Sequence, residues 1–495
     1  MVKSKNTKTQ EHTVNKGISV SSNRPAKIGA DTRYEVCNTR MTAFGGMLGL
    51  IKFLDFVNFK DIFNTYYHSP KRRPRLGCYN MILGVLMLHF IGFSRLGHFA
   101  YIRHDSIICG ILNVTVLPAI STFWRYLRSL TLNHSEYFLT IAAVLRSRVW
   151  QACELGYTTI CIDIDTTVST VYGDIEGSRK GHNTKHRGKK GLRPVLLFIE
   201  QTREYICGTQ RRGKTMSDKE IARLIASIGK YLPSTVKHVI IRGDAEFIGA
   251  QTVEMCRKCG YDFIFGNKRC APNFEDKNWY KNGAYDYNES AYEPTGWDQP
   301  CRFVVMRILK EDDKKDNTVE QLSLFDEKKY KYRVFATSLS WEVHTVIRKY
   351  DKRADVENLI GESQREGILA IPSKRFLSNL AFFQIVMLAY NIWRWMKIMS
   401  GYRQEPEEAN NADAPVTRAE VNYEIVDNTI RIARLKMLFV PAKLTYSGGY
   451  DKVTYSSHDE RTAGLLDFLE YLDRRRKAEV DWLDNVSLNK YRIAA

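Results

Sequence analysis

The sequence predicts an α/β protein in which a mixed sheet is flanked by helices, with an N-terminal helical domain and a β-rich insertion domain. Residues 158–167, TTICIDIDTT, alternate isoleucine with cysteine or aspartate, which is the period-2 pattern of a strand. Residues 39–150 instead have the amphipathic periodicity of helices. Residues 268–338 interrupt the alternation of strands and helices with turn-rich, aromatic sequence and two strand-like runs. The chain is therefore expected to contain a helical part, a strand-rich core and an insertion within that core.

Net charge gives the clearest indication of a partner. The 495-residue chain carries a formal charge of +19, and such an excess of Lys and Arg favours a polyanion, nucleic acid before membrane. We expect no membrane span, because the most apolar run, residues 81–93, is too short to cross a bilayer. Residues 1–33 are polar and basic, unlike a signal peptide. Ten scattered cysteines are typical of reduced thiols, so we predict a cytoplasmic, nucleoid-associated protein.

Shifts in composition along the chain predict six segments. They are a basic tail (1–33), a helical DNA-binding domain (34–155), the first part of the strand-rich core (156–267), the β-rich insertion (268–340), the second part of the core (341–400) and a C-terminal helical and hairpin region (401–495). Apolar residues at 376–399 predict a long helix that backs the sheet. Gly448 and Gly449 predict the turn of a C-terminal hairpin.

Two basic segments are candidate DNA contacts. Ser121 is a candidate N-cap for a helix on which Arg125 and Arg128 lie three residues apart, on the same side. A preceding helix and a turn at Pro118 fit a helix-turn-helix, although one more bundle helix fits the same pattern. In residues 178–194, glycines and like charges predict an exposed loop rather than a compact element. The cations of this loop are candidate phosphate ligands, although charge runs also occur on ordinary solvated surfaces. The four candidates are Lys185, Arg187, Lys189 and Lys190.

Three carboxylates have positions that suit a metal site. Asp165 ends the first strand, and Asp244 ends a later buried strand in the sequence VIIRGDAEF. Glu357 lies on a predicted helix that follows the insertion. Strand-end carboxylates project from one rim of a sheet, and a helix packed on that rim can bring a third. Hard oxygen ligands of this kind suit Mg²⁺ or Mn²⁺, and two such ions promote in-line phosphoryl displacement.

Neighbouring residues leave an alternative for each acid. Asp163 lies on the same face of the first strand and could be the ligand instead, or could pair with a buried arginine. Asp244 could simply start a turn, and Glu246 could replace it. Glu357 could form an ordinary helical ion pair with Arg353, four residues earlier. Two more acids follow on the same predicted helix, Glu362 and Glu366.

The spacing of Tyr350, Arg353 and Glu357 places them on one face of a helix. It resembles the Tyr-x2-Arg-x3-Glu-x6-Lys signature of the DDE transposases of bacterial insertion sequences. IDIDTT is similar to that family's first-aspartate strand, and RGDAEF to its second-aspartate motif. The β-rich segment between the second and third acids resembles the insertion of the hairpin-forming members. The likeness extends over residues 34–439.

This resemblance implies an RNase H-like catalytic domain in which Asp165, Asp244 and Glu357 bind two Mg²⁺ or Mn²⁺ ions. It also implies a homodimer that binds double-stranded DNA at the terminal inverted repeats of its own element. Such an enzyme nicks one strand, forms and opens a hairpin, and joins the 3′ ends to target DNA.

The same likeness gives roles to three further residues. Arg353 would hold a phosphate near the scissile bond, and Tyr350 would contact the same strand. Trp341 is a candidate for holding a flipped base, although core packing explains a tryptophan there equally well. The last lysine of the signature falls on Gln364, and the adjacent Arg365 is rotated by about 100° around the helix. The resemblance therefore implies no DNA contact by a lysine at this position of the chain.

A short apolar island interrupts the charged part of the insertion. QLSLF, residues 321–325, resembles the peptide by which bacterial replication proteins dock on the sliding clamp. The likeness implies clamp-binding roles for Gln321, Leu322, Leu324 and Phe325. Alternatively, these side chains pack on the insertion's own sheet.

Two other functions fit parts of the pattern. A structure-specific nuclease of the same fold would cut DNA without preference for terminal repeats and without joining. A non-catalytic DNA-binding protein could keep the fold, although the presence of all three acids argues against it.

Overall fold

The computed structural model describes residues 28–181, 186–268, 272–309, 330–400 and 428–477. Two compact units are distinguished, Met1–Thr39 and Arg40–Ala495. In the first unit, residues 28–39 contain no helix or strand. They include one turn, in which the Thr32 N–H donates to the Gly29 carbonyl at 3.1 Å. All the elements below belong to the second unit.

The second unit begins with one short strand and a series of helices. In chain order these are β1 (Arg40–Thr42), α1 (Met47–Phe56), α2 (Phe59–Tyr66), α3 (Cys78–Phe90), a 3-10 helix (Leu96–Ile102), α4 (Ser106–Ile111), α5 (Ile120–Ser129) and α6 (Leu132–Ala152). Helix α6 is buried over most of its length and contributes Phe138, Leu145 and Trp150 to the main core. The periodicity of residues 39–150 therefore predicted these helices correctly, whereas it gave no indication of β1.

The prediction that Ser121 caps α5 is wrong. The helix begins at Ile120, after an extended Ala119 with ψ of 147°. Thr122 already donates its N–H to the Ala119 carbonyl at 2.8 Å. Ser121 therefore lies inside the first turn, where its hydroxyl cannot take the place of an N-cap.

Strands dominate the middle of the unit. In chain order the elements are β2 (Thr159–Thr166), β3 (Ser169–Thr170), β4 (Arg179–Lys180), β5 (Lys190–Leu192), β6 (Val195–Ile199), β7 (Tyr205–Thr209), α7 (Asp218–Ser227), a 3-10 helix (Ile228–Tyr231), β8 (His238–Gly243), α8 (Ala250–Cys259) and β9 (Asp262–Asn267). The predicted insertion supplies a 3-10 helix (Asp276–Asn278), β10 (Tyr280–Asn282), β11 (Tyr285–Tyr292), β12 (Cys301–Leu309) and β13 (Tyr330–Thr337).

The remaining elements are mainly helical. They are α9 (Val343–Asp351), α10 (Ala354–Ser363), a π-helix (Gln364–Ile368), α11 (Phe376–Met399), α12 (Ile430–Ala433), a second π-helix (Arg434–Leu438), β14 (Ala442–Ser447), β15 (Tyr450–Tyr455) and α13 (Arg461–Lys477).

Nine strands of the described chain form one mixed sheet, in the order β10-β11-β12-β13-β9-β8-β2-β6-β7. The pairs β2–β8 and β8–β9 are parallel, and the other neighbours are antiparallel. Alternation along β2 places Ile160, Ile162 and Ile164 in the main core, while Cys161 joins a smaller core that includes Val346 of α9. The predicted α/β class, with a large mixed sheet flanked by helices, is confirmed.

The strands of the predicted insertion continue this sheet. β13 pairs with β9, with Val334 opposite Asn267 and Thr337 opposite Ile264. β12, β11 and β10 then follow as antiparallel neighbours. The segment is β-rich as predicted, but its backbone hydrogen bonds join it to the core strands.

The prediction that residues 178–194 form a loop without a compact element is wrong. Within the described part of that segment, β4 and β5 pair with each other, and β5 also pairs with β3. Leu192 is buried, whereas Lys189 and Lys190 remain exposed. Backbone pairing therefore orders the strands while their charged side chains point to solvent.

Helix α11 packs along the edge strand β7 and satisfies part of its free backbone. The side chain of Asn391 accepts from the Tyr205 N–H at 2.9 Å and donates to the Tyr205 carbonyl at 2.7 Å. Gln384 donates to the Gly208 carbonyl at 2.8 Å. Among the described helices, α11 alone has the length and composition to cross a membrane, and 89% of its most apolar window is buried in the protein. Its apolarity thus serves the core and the protected sheet edge.

The C-terminal elements pack on the N-terminal helices. β14 pairs with β15 as the predicted hairpin. It also pairs with β1, the first strand of the unit in chain order. A Cβ at Gly46, just before α1, would lie 1.9 Å from the Met437 carbonyl oxygen, so this contact requires glycine. A Cβ at Gly49 of α1 would lie 3.6 Å from Leu469 and 3.7 Å from Phe468, both of α13, so the two helices pack closely there. These contacts cross the predicted segment boundaries at residues 155 and 401.

Candidate active site

Two acids of β2 lie in different environments. Asp163 is buried, and its carboxylate accepts two hydrogen bonds from Arg242 of the parallel neighbour β8, at 2.7 Å from Nε and 2.8 Å from Nη2. Asp163 therefore pairs with a buried arginine, as one of the two alternatives from the sequence proposed. Asp165 is then the acid of β2 that faces the rim of the sheet. An arginine within the apolar strand VIIRG was the sequence signal for this partner.

Arg242 also organises the helices beside the rim. Its Nη1 lies 3.1 Å from Oε1 of Glu200, and Lys349 reaches Oε2 of the same carboxylate at 2.9 Å. Burial alone would lower the pKa of Arg242, but Cys161, Asp163 and Glu200 raise it above its ordinary value, so the guanidinium stays charged. These charges form a buried network directly beneath the junction of α9 and α10.

The prediction that Tyr350, Arg353 and Glu357 share one helix is wrong. Tyr350 lies in α9 and Glu357 in α10, and Arg353 is the residue immediately before α10. Arg242 donates to the carbonyl of Lys349, which is the acceptor that the Arg353 N–H would use in a continuous helix. The Arg353 N–H bonds the Tyr350 carbonyl instead, at 2.9 Å. The resulting tight turn directs Arg353 toward β2.

Asp165 meets Arg353 at the end of β2. Nη2 of Arg353 lies 3.1 Å from Oδ2 of Asp165, and the Thr166 N–H donates to Oδ1 at 2.7 Å. The pKa of Asp165 is raised to about 6, chiefly by burial and also by the negative charges of Asp244 and Glu357, although Arg353 and the Thr166 N–H lower it. The charges of Asp244 and Glu357 therefore act on Asp165, which places the three predicted acids in the same region of the protein.

Asp244 lies at the same rim because β2 and β8 are parallel. Ile164 is in register with Gly243, so the next residue on each strand is one of the two acids. Oδ1 of Asp244 accepts a hydrogen bond from the Glu246 N–H at 2.9 Å. This bond forms the turn that the sequence offered as an alternative role for Asp244. Asp244 therefore starts a turn and also faces the site.

Glu246, the alternative to Asp244, has an arginine partner. Arg193 contacts the Glu246 carboxylate and donates to Oγ1 of Thr166 from Nε at 3.2 Å and from Nη2 at 3.1 Å. Arg193 thus links the turn after Asp244 to the residue after Asp165. Sequence reasoning missed this arginine, since only the pairing of β6 with β2 brings it to the site.

Glu357 is the exposed member of the three acids. The other acids of the same segment have partners away from the rim. Glu362 accepts from the Ile430 N–H at 2.7 Å, and Glu366 pairs with Arg434. The expected alternative pair between Glu357 and Arg353 does not form, because Arg353 is engaged with Asp165.

Tyr350 and Gln364 complete the surroundings. A Cβ at Gly266 would lie 3.1 Å from the Tyr350 hydroxyl and 3.6 Å from the Asp244 carbonyl carbon, which places the hydroxyl near the second acid. Burial raises the pKa of Tyr350, and the charges of Asp244 and Asp165 add to this effect. Nε2 of Gln364 donates to Oγ1 of Thr167 at 2.6 Å. Gln364 thus ties the π-helix to the end of β2, two residues beyond Asp165.

The donor chemistry of the three acids suits a hard divalent cation. Within the described residues, however, no three His, Cys, Asp and Glu side chains are close enough together to hold a metal ion. Arg353 neutralises Asp165 instead, and its own Nε is buried without a hydrogen-bond partner. The arrangement brings carboxylates to one rim together with the Arg353 guanidinium, whose Nε has no hydrogen-bond acceptor among the described residues. A guanidinium donor of this kind suits a phosphate ligand.

The other predicted contact residues are distributed as follows. Arg125 and Arg128 are exposed on α5, and Arg187, Lys189 and Lys190 are exposed around β5. Lys190 forms a surface ion pair with Asp174 at 3.4 Å. Trp341 is half-buried against the smaller core, and its carbonyl accepts from Arg302 at 2.8 Å. Lys185 and the clamp-like residues Gln321, Leu322, Leu324 and Phe325 lie outside the described residues.

The fold and the acidic rim belong to a known class of enzymes. The family described as transposase DDE domain group 1 matches residues 32–414. The chain is therefore a DDE transposase, a member of a class that cuts and joins DNA. Within that class it belongs to the transposase DDE domain group 1 family.

No curated relative matches the chain. Among solved structures, the chain is similar to the piggyBac transposase in a synaptic complex with hairpin DNA, with 10% identity and a TM-score of 0.37 over 88% of this chain and 86% of that one.

Proposed function

We propose that this chain is the transposase of a bacterial insertion sequence. It binds the terminal inverted repeats of its element, cuts the DNA and joins the freed 3′ ends to target DNA. The observation that carries this proposal is that Arg353 pairs with Asp165 while the charges of Asp244 and Glu357 act on the same carboxyl. The family to which the chain belongs supports it. A net charge of +19 suits a protein that holds several DNA segments.

The proposal includes an RNase H-like catalytic domain. The strand order β7-β6-β2-β8-β9, with β6 antiparallel and β8 parallel to β2, supports it. Acids at the ends of the parallel strands β2 and β8 then share a rim, and α10 supplies the third. This topology explains why residues so distant along the chain act together.

Asp165, Asp244 and Glu357 would hold two Mg²⁺ or Mn²⁺ ions. When bound, such ions promote attack by water or a 3′-hydroxyl and stabilise the leaving oxygen. The chain's own residues position the DNA: Arg353 has a free Nε to donate to a phosphate, and the Tyr350 hydroxyl lies close enough to Asp244 to contact the same strand. Ionised Asp165 is required in this scheme, because a protonated carboxyl binds cations poorly.

Several finer features remain part of the proposal. Cleavage proceeds through a hairpin, the active species is a homodimer, and Trp341 is a candidate to hold a flipped base. The QLSLF peptide docks on the sliding clamp, and the enzyme works in the bacterial cytoplasm. The scattered cysteines support the location, and sequence resemblances support the other features. A Phe325→Ala pull-down tests the clamp contact.

The central test is cleavage of an oligonucleotide that ends in the element's terminal repeat, with Mg²⁺ present. We expect Asp165→Asn, Asp244→Asn and Glu357→Gln each to lower the rate by at least about 10²–10³-fold. Asp355→Asn is the matched control, because Asp355 lies on α10 but forms a surface pair with Arg203. It should keep nearly full activity.

The outcome separates the candidate functions. Full activity in any one of the three acid variants would remove that residue from the site. Cutting without preference for terminal repeats and without joining would indicate a structure-specific nuclease. Metal-independent binding with no cutting would indicate a non-catalytic DNA-binding protein.

A further inference from the structure

A basic loop projects from the helical part of the chain, between α2 and α3. We call residues 69–77 the basic ridge. It carries four exposed cations within five residues, Lys71, Arg72, Arg73 and Arg75. None of them belongs to the acidic rim or to the basic segments predicted from the sequence.

A cleft lies on each flank of the basic ridge. One cleft, of about 600 Å³, is lined by Arg73 and Arg75 together with Lys60 and the rings of Phe63 and Tyr79. The other, of about 510 Å³, is lined by Lys71 and Arg72 together with polar groups of the α5–α6 connection. Those polar groups are Ser129, Thr131 and Asn133. The cations are therefore divided between two sides of one ridge.

The ridge cations are not neutralised by carboxylates of the described residues. Within the described residues, none of the four forms an ion pair. Surface arginines of the insertion behave differently, since Arg302, Arg307 and Arg333 each pair with a carboxylate. Four close, unpaired cations repel one another, so a stable ridge of this kind favours an anionic ligand.

The ridge is also held in shape before any ligand arrives. Pro70 and Pro74 fix two of its φ angles. The Gly77 N–H donates to the Pro74 carbonyl at 2.9 Å, and Gly77 has a positive φ of 83°, which glycine adopts readily. Little backbone entropy is then lost on binding, so the arginines can act as preset phosphate ligands.

We propose that the basic ridge enters a groove of duplex DNA and binds the phosphates of both bordering strands, without reading the bases. A groove presents a phosphate strand on each side, and the ridge presents two cations on each flank. The polar side chains of the clefts would then add hydrogen bonds to phosphate or sugar oxygens. This inference rests on the proposed function only in taking DNA as the substrate.

The test measures how affinity depends on salt. Two double variants each neutralise one flank: Lys71→Gln with Arg72→Gln, and Arg73→Gln with Arg75→Gln. Each phosphate contact contributes about 0.9 to the slope of log K against log salt, so each pair should lower that slope by about 2. At about 0.1 M salt this is a loss of roughly 10–100-fold in affinity. The loss should be equal for a terminal-repeat duplex and a scrambled duplex, and additive in the quadruple variant.

The matched control removes two exposed charges elsewhere. Lys219→Gln with Arg223→Gln alters the outer face of α7 and should leave the slope unchanged. A charge-keeping variant, Arg73→Lys with Arg75→Lys, should retain most of the slope and shows that loss reflects charge rather than misfolding.

Three results would overturn the proposal. They are an unchanged slope in both flank variants, a loss confined to the terminal-repeat duplex, and charge-dependent binding to phosphatidylserine vesicles with unaltered DNA binding. The catalytic proposal fails separately, through absence of cutting by the unaltered chain, and that result would leave the salt-slope measurement intact.

Discussion

At the scale of one residue, the arginine partner of each carboxylate distinguishes the role of Asp163 from that of Asp165. They are two positions apart on β2 and were equivalent candidates in the sequence. Asp163 receives two hydrogen bonds from Arg242, whereas Asp165 has Arg353 on one side and two acids nearby. Only the register of β2 with β8 separates a structural carboxylate from a candidate ligand.

The raised pKa of Asp165 predicts that its charge costs stability. Its folded pKa of about 6 lies above the ordinary 3.8, so the folded state binds the proton more tightly than the unfolded state does. The ionised form is therefore destabilising near neutral pH. We expect Asp165→Asn to raise the free energy of unfolding by about 1–3 kcal/mol in EDTA, while abolishing DNA cleavage.

Urea denaturation across pH checks this prediction. The gain should shrink as pH falls below about 6 and vanish well below pH 3.8, where the unaltered residue is protonated in both the folded and the unfolded state. A variant that is less stable than the unaltered protein near neutral pH would contradict it.

The same carboxyl predicts the acid limb of the activity profile. Because the pKa of Asp165 is raised to about 6, chiefly by burial, the ionised fraction falls tenfold for each pH unit well below that value. Cleavage under limiting Mg²⁺ should therefore decline below about pH 6, and added Mg²⁺ should shift the decline to lower pH. A profile that is flat down to about pH 4.5 would exclude Asp165 as the controlling group.

At the scale of elements, the junction of α9 and α10 depends on a buried arginine from β8. Spacing predicted one helical face for Tyr350, Arg353 and Glu357, because i, i+3 and i+7 coincide on a continuous helix. The sequence held no local signal for the break, since the cause is the long-range bond from Arg242 to the Lys349 carbonyl. The strands around it were predictable because their alternation is local.

We expect Arg242→Met to lower the free energy of unfolding by about 3–5 kcal/mol, because Asp163 and Glu200 would remain buried without their partner. Chemical denaturation provides the measurement. Arg203→Met is the control, since the Arg203–Asp355 pair is more than one third exposed on both sides and should contribute no more than about 1 kcal/mol. Equal losses in the two variants would contradict the assigned role of the network.

At the scale of the whole molecule, contacts between distant parts of the chain complete the second unit. The pair Gly448 and Gly449 predicted the C-terminal hairpin, and the C-terminal region was expected to be partly helical. The sequence could not predict that β14 also pairs with β1, because the strand Arg40–Thr42 is too short to show a pattern. For the candidate site, the sequence predicted the three acids and a buried arginine as a possible partner of Asp163, whereas the position of Arg193 emerged only from the sheet pairings.

Adjacent leucines on α13 offer a test of this packing. Leu465 is fully buried in the main core, and Leu466 is 40% exposed. We expect Leu465→Ala to lower the free energy of unfolding by about 2–4 kcal/mol and Leu466→Ala by no more than about 0.5 kcal/mol. Fluorescence of the buried tryptophans Trp393 and Trp395 should report the loss if α13 unfolds together with the core around the sheet. An unchanged tryptophan transition in Leu465→Ala would show that the C-terminal elements unfold independently.

The way β12 meets β13 has a consequence for how this protein can change over time. Leu309 and Tyr330, the last residue of one strand and the first of the next, face each other in register. The ends of β12 and β13 to which residues 310–329 are attached are therefore adjacent. A change in the length of the connecting sequence need not alter the pairing of these two strands. If QLSLF docks on a partner as proposed, that binding can change in evolution without a change in the sheet that carries Asp165 and Asp244.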